Sequence, residues 1–298
     1  MNILELDRRT LKKMKKIELE AGNINTEGNL FIFEEKNKWK KELKVYKELY
    51  YDMGHIFSNK LFTLNELIDH VLSLDVEEFV LPEKLAIINN RVEGFIMPYV
   101  PNINFYTILN ATEIATKDKI KFFKEIGHLL YKMDNIRRNQ INDFYLNDLH
   151  EGNFILNKKT GKINVVDMDS CKINGNKPFV SKYLTPLSPI SKMPGKYIIN
   201  EDENFPGYVI ADRNSDLYCY TVMILNFLYK DRITRLSREA YFLYLEYLIH
   251  IGLPYDMAAK MAKIYEYADN ENISEYLGYI DDKILRKTRK EVFLKQEK

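Results

Sequence analysis

The stretch FYLNDLHEGNFILNKKTGKINVVDMDSCKI, residues 144–173, constrains this chain more than any other. It reads as a polar loop, a strand, a turn and a second strand. Phe154-Ile155-Leu156 is a short apolar run, Lys158 to Lys162 with Gly161 make the turn, and Ile163 to Val166 make the next strand. Paired hydrophobic runs around a Gly-containing turn predict a hairpin. A hairpin returns its ends to one place, so Asp148 and Asn153, ahead of the first strand, meet Asp167 at the end of the second. Two carboxylates and an amide converging there make a seat for a hard cation, because Mg²⁺ takes oxygen ligands and keeps waters and phosphates as the rest. Singly, Asp148, Asn153, Asp167 and Asp169 are ordinary loop residues. The spaced set carries the reading.

Asp148-Leu149-x-x-x-Asn153 followed by strand, turn, strand and Asp167 resembles the catalytic loop and metal-binding aspartate of the protein kinase-like superfamily. The resemblance implies that Asp148 accepts the proton of the attacking hydroxyl, while Asn153 and Asp167 hold Mg²⁺ against the phosphates of ATP. Leu146-Asn147 stands where His-Arg is usual, and Asp167-Met168-Asp169 where Asp-Phe-Gly is usual. His150, two residues after the catalytic aspartate, gives the form common among aminoglycoside and choline kinase relatives. The implied fold is α+β and bilobal: a small antiparallel β lobe with one helix, and a larger, mainly helical lobe. The implied division is a basic N-terminal extension (1–16), a small ATP-binding lobe (17–99) and a large catalytic lobe (100–298).

A chain of 298 residues can hold two lobes, and 46% hydrophobic residues suit a globular protein. The formal net charge of +1 gives no electrostatic case for a nucleic-acid or anionic-membrane partner. Cys171 and Cys219 lack the spacing of a disulfide framework or zinc site. No apolar run approaches a membrane span and no apolar leader opens the chain, so a soluble, cytoplasmic protein is expected.

In the N-terminal part, residues 8–16 form a basic run, read as a solvated helix face or tail. Strand-like segments follow, punctuated by Gly22 and Gly28. In a kinase-like fold a glycine-rich turn covers the phosphates; here only Gly28, ahead of Leu30, matches it, and an ordinary hairpin turn explains it equally. The third strand should carry a lysine for the phosphates. Val45 and Lys47 share a face, with Val45 toward adenine and Lys47 toward the phosphates, while Lys44 on the opposite face is the second choice. A helix is expected from about Phe62 to Leu74. Its Glu66 either pairs with Lys47 or closes a capping box with Thr63. Strands over Phe79–Ile88 and Val92–Tyr99 flank the turn Asn89-Asn90, and Met97 to Val100 become the inter-lobe hinge. Pro98 lacks an N–H there, so the adenine contact falls to neighbours such as Tyr99 and Val100.

In the C-terminal part, Lys117 to Arg138 is predicted as a broad-faced helix leading into the catalytic loop. Pro178, Pro186, Pro189, Pro194 and Pro206 break up the next segment, which the resemblance makes an activation and substrate-binding segment and which also reads as a plain surface loop. Asp216 opens an apolar helix. It resembles the kinase aspartate that accepts backbone hydrogen bonds from the catalytic loop, with helix capping as the simpler alternative. Three functions compete: a protein kinase acting on a Ser or Thr hydroxyl, a small-molecule kinase, and a nucleotide-binding pseudokinase serving as an interaction module. The long segment and Asp216 tilt the reading to the first.

Overall fold

The computed structural model describes residues 3–17, 28–34, 40–47, 54–74, 76–176, 198–199, 208–209, 212–264 and 270–296. The fold is α+β. Its N-terminal half is built on a six-stranded sheet of order β1-β5-β6-β4-β3-β2. Here β1 is Ile3–Leu6, β2 Lys15–Lys16, β3 Gly28–Glu34, β4 Lys40–Tyr46, β5 Lys84–Ile88 and β6 Arg91–Pro98. The sheet is mixed, not purely antiparallel as expected, because β1 runs parallel to β5.

That first strand changes the rest of the lobe. The basic run does form a helix with a solvated face, α1 (Arg8–Lys13), but Leu11 and Met14 beneath it join Leu4 and Leu6 in an apolar layer. The layer covers Leu43 and Val45 on one side of β4. Side chains alternate along a strand, so Lys44 and Tyr46 face the other way, into the molecule. Gly94 lets β6 lie close against this segment, since a Cβ there would stand 1.9 Å from the Lys44 carbonyl oxygen.

Helix α2 (Gly54–Glu66) starts well before the expected Phe62 and runs on through Leu74 in looser turns. The next strand begins at Lys84, later than the sequence suggested, because Pro82 has no N–H to give to a ladder. Asn89 and Asn90 both have positive φ, 50° and 66°, the geometry of the tight hairpin turn that matches strand twist.

The C-terminal half is mainly helical. After β7 (Asn102–Asn104) come α3 (Phe105–Asn110) and α4 (Thr116–Asn139), whose wide apolar face is buried as its sequence pattern required. The hairpin follows as β8 (Phe154–Asn157) and β9 (Ile163–Val165), with β7 on its outer edge. Two short strands, Ile198–Ile199 and Tyr208–Val209, pair with each other. Helix α5 (Arg213–Tyr229) is buried on nearly every side, and α6 (Arg238–His250), α7 (Tyr255–Ala262), α8 (Asp282–Lys287) and α9 (Lys290–Gln296) pack around it. No helix among the described residues is long and apolar enough to cross a membrane.

Candidate active site

The hairpin brings its ends together as its sequence demanded. Phe154 pairs with Val165, and the Val166 N–H donates to the Asn153 carbonyl at 2.9 Å. Asp167 therefore leaves β9 beside Asn153. On the other side, the Asn153 Nδ2 donates to the backbone oxygen of Asp148 at 2.8 Å and to its Oδ2 at 3.3 Å. Asn153 is thus bonded directly to Asp148 and, through the Val166 N–H, to the strand end that carries Asp167.

Asp148 has a second neighbour. The Gly152 N–H donates to Nδ1 of His150 at 2.9 Å, which places the hydrogen of a neutral imidazole on Nε2. That nitrogen lies 3.6 Å from Asp148 Oδ2. Both Asn153 and His150 thus orient one oxygen of the carboxylate.

Asp167 adopts a left-handed conformation, φ 58°, uncommon outside glycine but accessible to Asp. The turn aims its half-exposed carboxylate at the sheet, where Lys44 Nζ donates to Oδ1 at 2.7 Å. The lysine that meets Asp167 is therefore Lys44, the second choice of the sequence reading. Lys47 stands exposed just beyond the end of β4, and Val45 belongs to the outer apolar layer, not to the nucleotide side. The physical reason is the covering of the outer face by α1, whose Leu11 and Met14 pack there while β1 extends that face at the sheet edge; this assigns the odd-numbered positions of β4 to that side.

Glu66 likewise does not reach the site. It is the last residue of α2, accepts from Asn174 Nδ2 and lies 3.7 Å from His70. The capping-box alternative also fails, because Thr63 lies deep in α2 and its hydroxyl donates to the Asn59 carbonyl. The ion-pair position is filled by a residue of opposite sign. Lys60, two turns earlier, sends Nζ to Asp169 Oδ2 at 3.2 Å.

Asp169 is the centre of a buried cluster that the sequence did not suggest. Lys44 donates to its Oδ1 at 3.1 Å and the Tyr46 hydroxyl to its Oδ2 at 2.5 Å, beside Lys60. Burial alone would raise its pKa, but Lys44, Lys60 and Tyr46 together hold it well below the usual carboxylate range. Two lysines and two aspartates then balance in charge, and Lys44 bridges both carboxylates.

The loop that presents Asp148 is held from below. Asp216 accepts from the Leu146 N–H at 3.0 Å and the Asn147 N–H at 2.9 Å, as its resemblance implied. Capping of α5 falls instead to Asp212, in a reciprocal pair with Ser215. Burial pushes the Asp216 carboxyl up to about 6, against the lowering effect of those two N–H groups. Its folded value lies above the ordinary 3.8, so the stability tied to this group is fully present below 3.8 and is lost as pH rises through about 6. Asp216→Asn is expected to flatten that part of the stability profile, read as the urea midpoint between roughly pH 4 and 7. A variant whose midpoints track the wild type across that window would refute the assignment.

On the hinge side, Leu30, Met97 and Val100 share one apolar cluster with Tyr46, Phe95, Ile155 and Val166. The Tyr99 N–H lies 3.4 Å from the Lys40 carbonyl, and Gly28 opens β3 packed against Val45. The glycine-containing segment around Gly22 and most of the proline-punctuated segment, including Thr185, Ser188 and Ser191, lie outside the described residues.

Among the described residues no three His, Cys, Asp or Glu side chains gather into a self-sufficient metal cage. What fits the donor set is Mg²⁺, which takes one or two protein oxygens and completes its shell with phosphates and water. Asp167 offers a half-exposed carboxylate. Asn153 commits its Nδ2 to Asp148, which leaves Oδ1 as its cation-facing atom.

No protein-family model matches the chain. The curated proteins it resembles are cytidylate kinases of Saccharolobus islandicus. That of strain L.S.2.15 / Lassen #1 is 27% identical over 160 residues, spanning 51% of this chain and 77% of that protein. That of strain Y.G.57.14 / Yellowstone #1 is 28% identical over 130 residues, spanning 41% of this chain and 68% of that protein. The sequence contains no Gly-x-x-x-x-Gly-Lys-Ser/Thr phosphate loop. What the chain shares with these relatives is a likeness to kinases, at low identity over about half its length.

Proposed function

We propose that this chain is an ATP- and Mg²⁺-dependent phosphotransferase with a bilobal protein kinase-like fold, its small lobe spanning 17–99 and its large lobe 100–298. The observation that carries the reading is the joined set Lys44–Asp167 and Asn153–Asp148 over a loop anchored by Asp216. Lys44 binds the phosphates of the donor. Asp167 and Asn153 hold Mg²⁺, which when bound offsets charge on the transferring phosphoryl group. Asp148, oriented by Asn153 and His150, positions the acceptor hydroxyl in line and takes its proton. Most of the acceleration comes from positioning and preorganised charge, since the transfer asks little covalent chemistry of the protein.

The acceptor in this reading is a Ser or Thr hydroxyl of a protein, a function that the retention of all three polar catalytic positions favours over a silent binding module. A second reading takes its support from the likeness to cytidylate kinases: the acceptor is then a nucleoside monophosphate. The test is incubation with Mg²⁺ and γ-labelled ATP, together with a protein mixture, with CMP, or with a panel of small-molecule alcohols. Label in proteins, in CMP or in an alcohol identifies the acceptor class. Lys44→Met is expected to lose at least about a hundredfold in turnover, because it removes a charge aimed at the phosphates, whereas Lys47→Met stays near wild type. The reverse pattern, or a fully active Lys44→Met protein, would defeat the reading.

A further inference from the structure

One acidic side chain in the cleft has no role so far. Glu42 lies on β4 two residues before Lys44, about 7 Å along the strand. It faces Met97 of β6 on one side and Ile32 of β3 on the other. The even-numbered positions of β4 point into the molecule, as Lys44 and Tyr46 show by reaching Asp167 and Asp169. Glu42 therefore hangs from the sheet at the level of the hinge, beside the apolar cluster of Leu30, Met97, Val100 and Ile155. In the reading given above, this is where the base of the nucleotide lies.

Glu42 is half-buried, and among the described residues its carboxyl has neither a hydrogen bond nor an ion pair. Burial first, and the nearby Asp167 second, push its pKa up to about 7, with Lys44 pulling the other way. A half-buried carboxylate with no protein donor is open to donors from a ligand, and hydrogen bonds to a charged group are the stronger ones. Nucleobases differ in what they can supply. Guanine presents two adjacent N–H donors, N1–H and the 2-amino group, which match the two oxygens of a carboxylate. Adenine presents one amino donor beside a bare ring nitrogen, whose lone pair faces the second oxygen unfavourably.

We propose that Glu42 reads the base of the donor nucleotide and that the cleft takes guanine nucleotides in preference to adenine nucleotides. The inference rests on the nucleotide-cleft reading and makes a guanine nucleotide its preferred donor, with ATP the weaker one. Glutamine at this position carries one donor and one acceptor, the complement of the adenine edge. Glu42→Gln should therefore shift the preference toward ATP while keeping the side-chain volume.

The experiment is calorimetric titration of Mg²⁺–GTP and Mg²⁺–ATP into wild type, Glu42→Gln and Glu42→Ala at about pH 8, where the carboxyl is mostly ionised. Far-UV circular dichroism and melting temperature establish that each variant is folded. Wild type is expected to bind GTP about tenfold more tightly than ATP, with that ratio falling about tenfold in both variants. Equal binding of the two nucleotides by wild type, or a ratio unmoved by both substitutions, overturns the role of Glu42 and leaves the cleft reading standing. Binding of neither nucleotide to wild type overturns the cleft reading itself, and this proposal with it.

Discussion

Asp169→Ala is expected to lower the stability of the folded protein by about 3–5 kcal/mol, the largest loss of stability from any single substitution considered. The carboxylate is fully buried between two ammonium groups and a phenol. Removing it leaves Lys44 and Lys60 facing each other in a site with little water, and takes the acceptor away from Tyr46. Breaking a buried ion pair costs more than the pair contributes, because an uncompensated charge stays behind. Lys44 keeps Asp167, whereas Lys60 loses its bond to Asp169 and keeps the Ser170 hydroxyl at 3.2 Å and the face of the Tyr46 ring. Replacing Lys60 by Met in the Asp169→Ala background should recover part of the loss. Chemical denaturation of wild type, both single variants and the double variant forms the cycle that measures it. The pH dependence has a definite sign. Asp169 titrates below its unfolded value, so the stability it contributes is present above the ordinary carboxylate range and is lost as pH falls through and below it. An Asp169→Ala protein as stable as wild type would show that the cluster is incidental.

Why this cluster was invisible in the sequence is instructive. Asp169 follows a strand and reads as an exposed loop residue, and its partners stand 109 to 125 residues away along the chain. Nothing local marks a carboxylate that is buried by distant donors. The hairpin of β8 and β9 is the opposite case. Its two apolar runs, its Gly161 turn and its polar ends lie within thirty residues, so period-two patterning alone brings Asn153 to Asp167. Asp216 was legible only through the resemblance: on its own sequence a charged residue at the head of an apolar helix reads as a cap, and the N–H groups of Leu146 and Asn147 that it binds lie about seventy residues away.

The choice between Lys44 and Lys47 shows where patterning stops. Strand alternation puts Val45 and Lys47 on one face, which the resemblance turns toward the nucleotide, Val45 to the adenine and Lys47 to the phosphates. Here both faces of β4 are covered, one by Leu11 and Met14 in and just after α1, the other by the site itself. A strand covered on both faces loses the alternation that would assign them. The deciding fact is the parallel pairing of Ile3–Leu6 with β5, a long-range contact that no local pattern encodes. Glu66 went astray for a related reason. The helix begins at Gly54, which puts Lys60, not Glu66, level with Asp169.

For activity, the largest effect is expected at Asp148. Asp148→Asn should reduce turnover by about 10²–10⁴-fold while binding of the Mg²⁺–nucleotide complex changes by no more than a small factor. The substitution keeps the shape of the side chain and removes its capacity to accept a proton. The loop should hold its course, since Asp216 grips the two residues just before it through backbone N–H groups that the substitution does not touch. Asn153 keeps its bond to the backbone oxygen of residue 148 at 2.8 Å, so the cation-facing Oδ1 stays in place. His150 loses the charge opposite its Nε2, a smaller effect across 3.6 Å. Steady-state kinetics on the acceptor found by the labelling experiment would separate the two quantities, with melting temperature as the check on folding. If turnover fell because nucleotide no longer bound, Asp148 would be a structural member of the loop. If turnover stayed within about threefold of wild type, well short of what loss of a general base removes, the proton would be leaving by another route, and the arrangement of Asn153 and His150 around this carboxylate would need a different explanation.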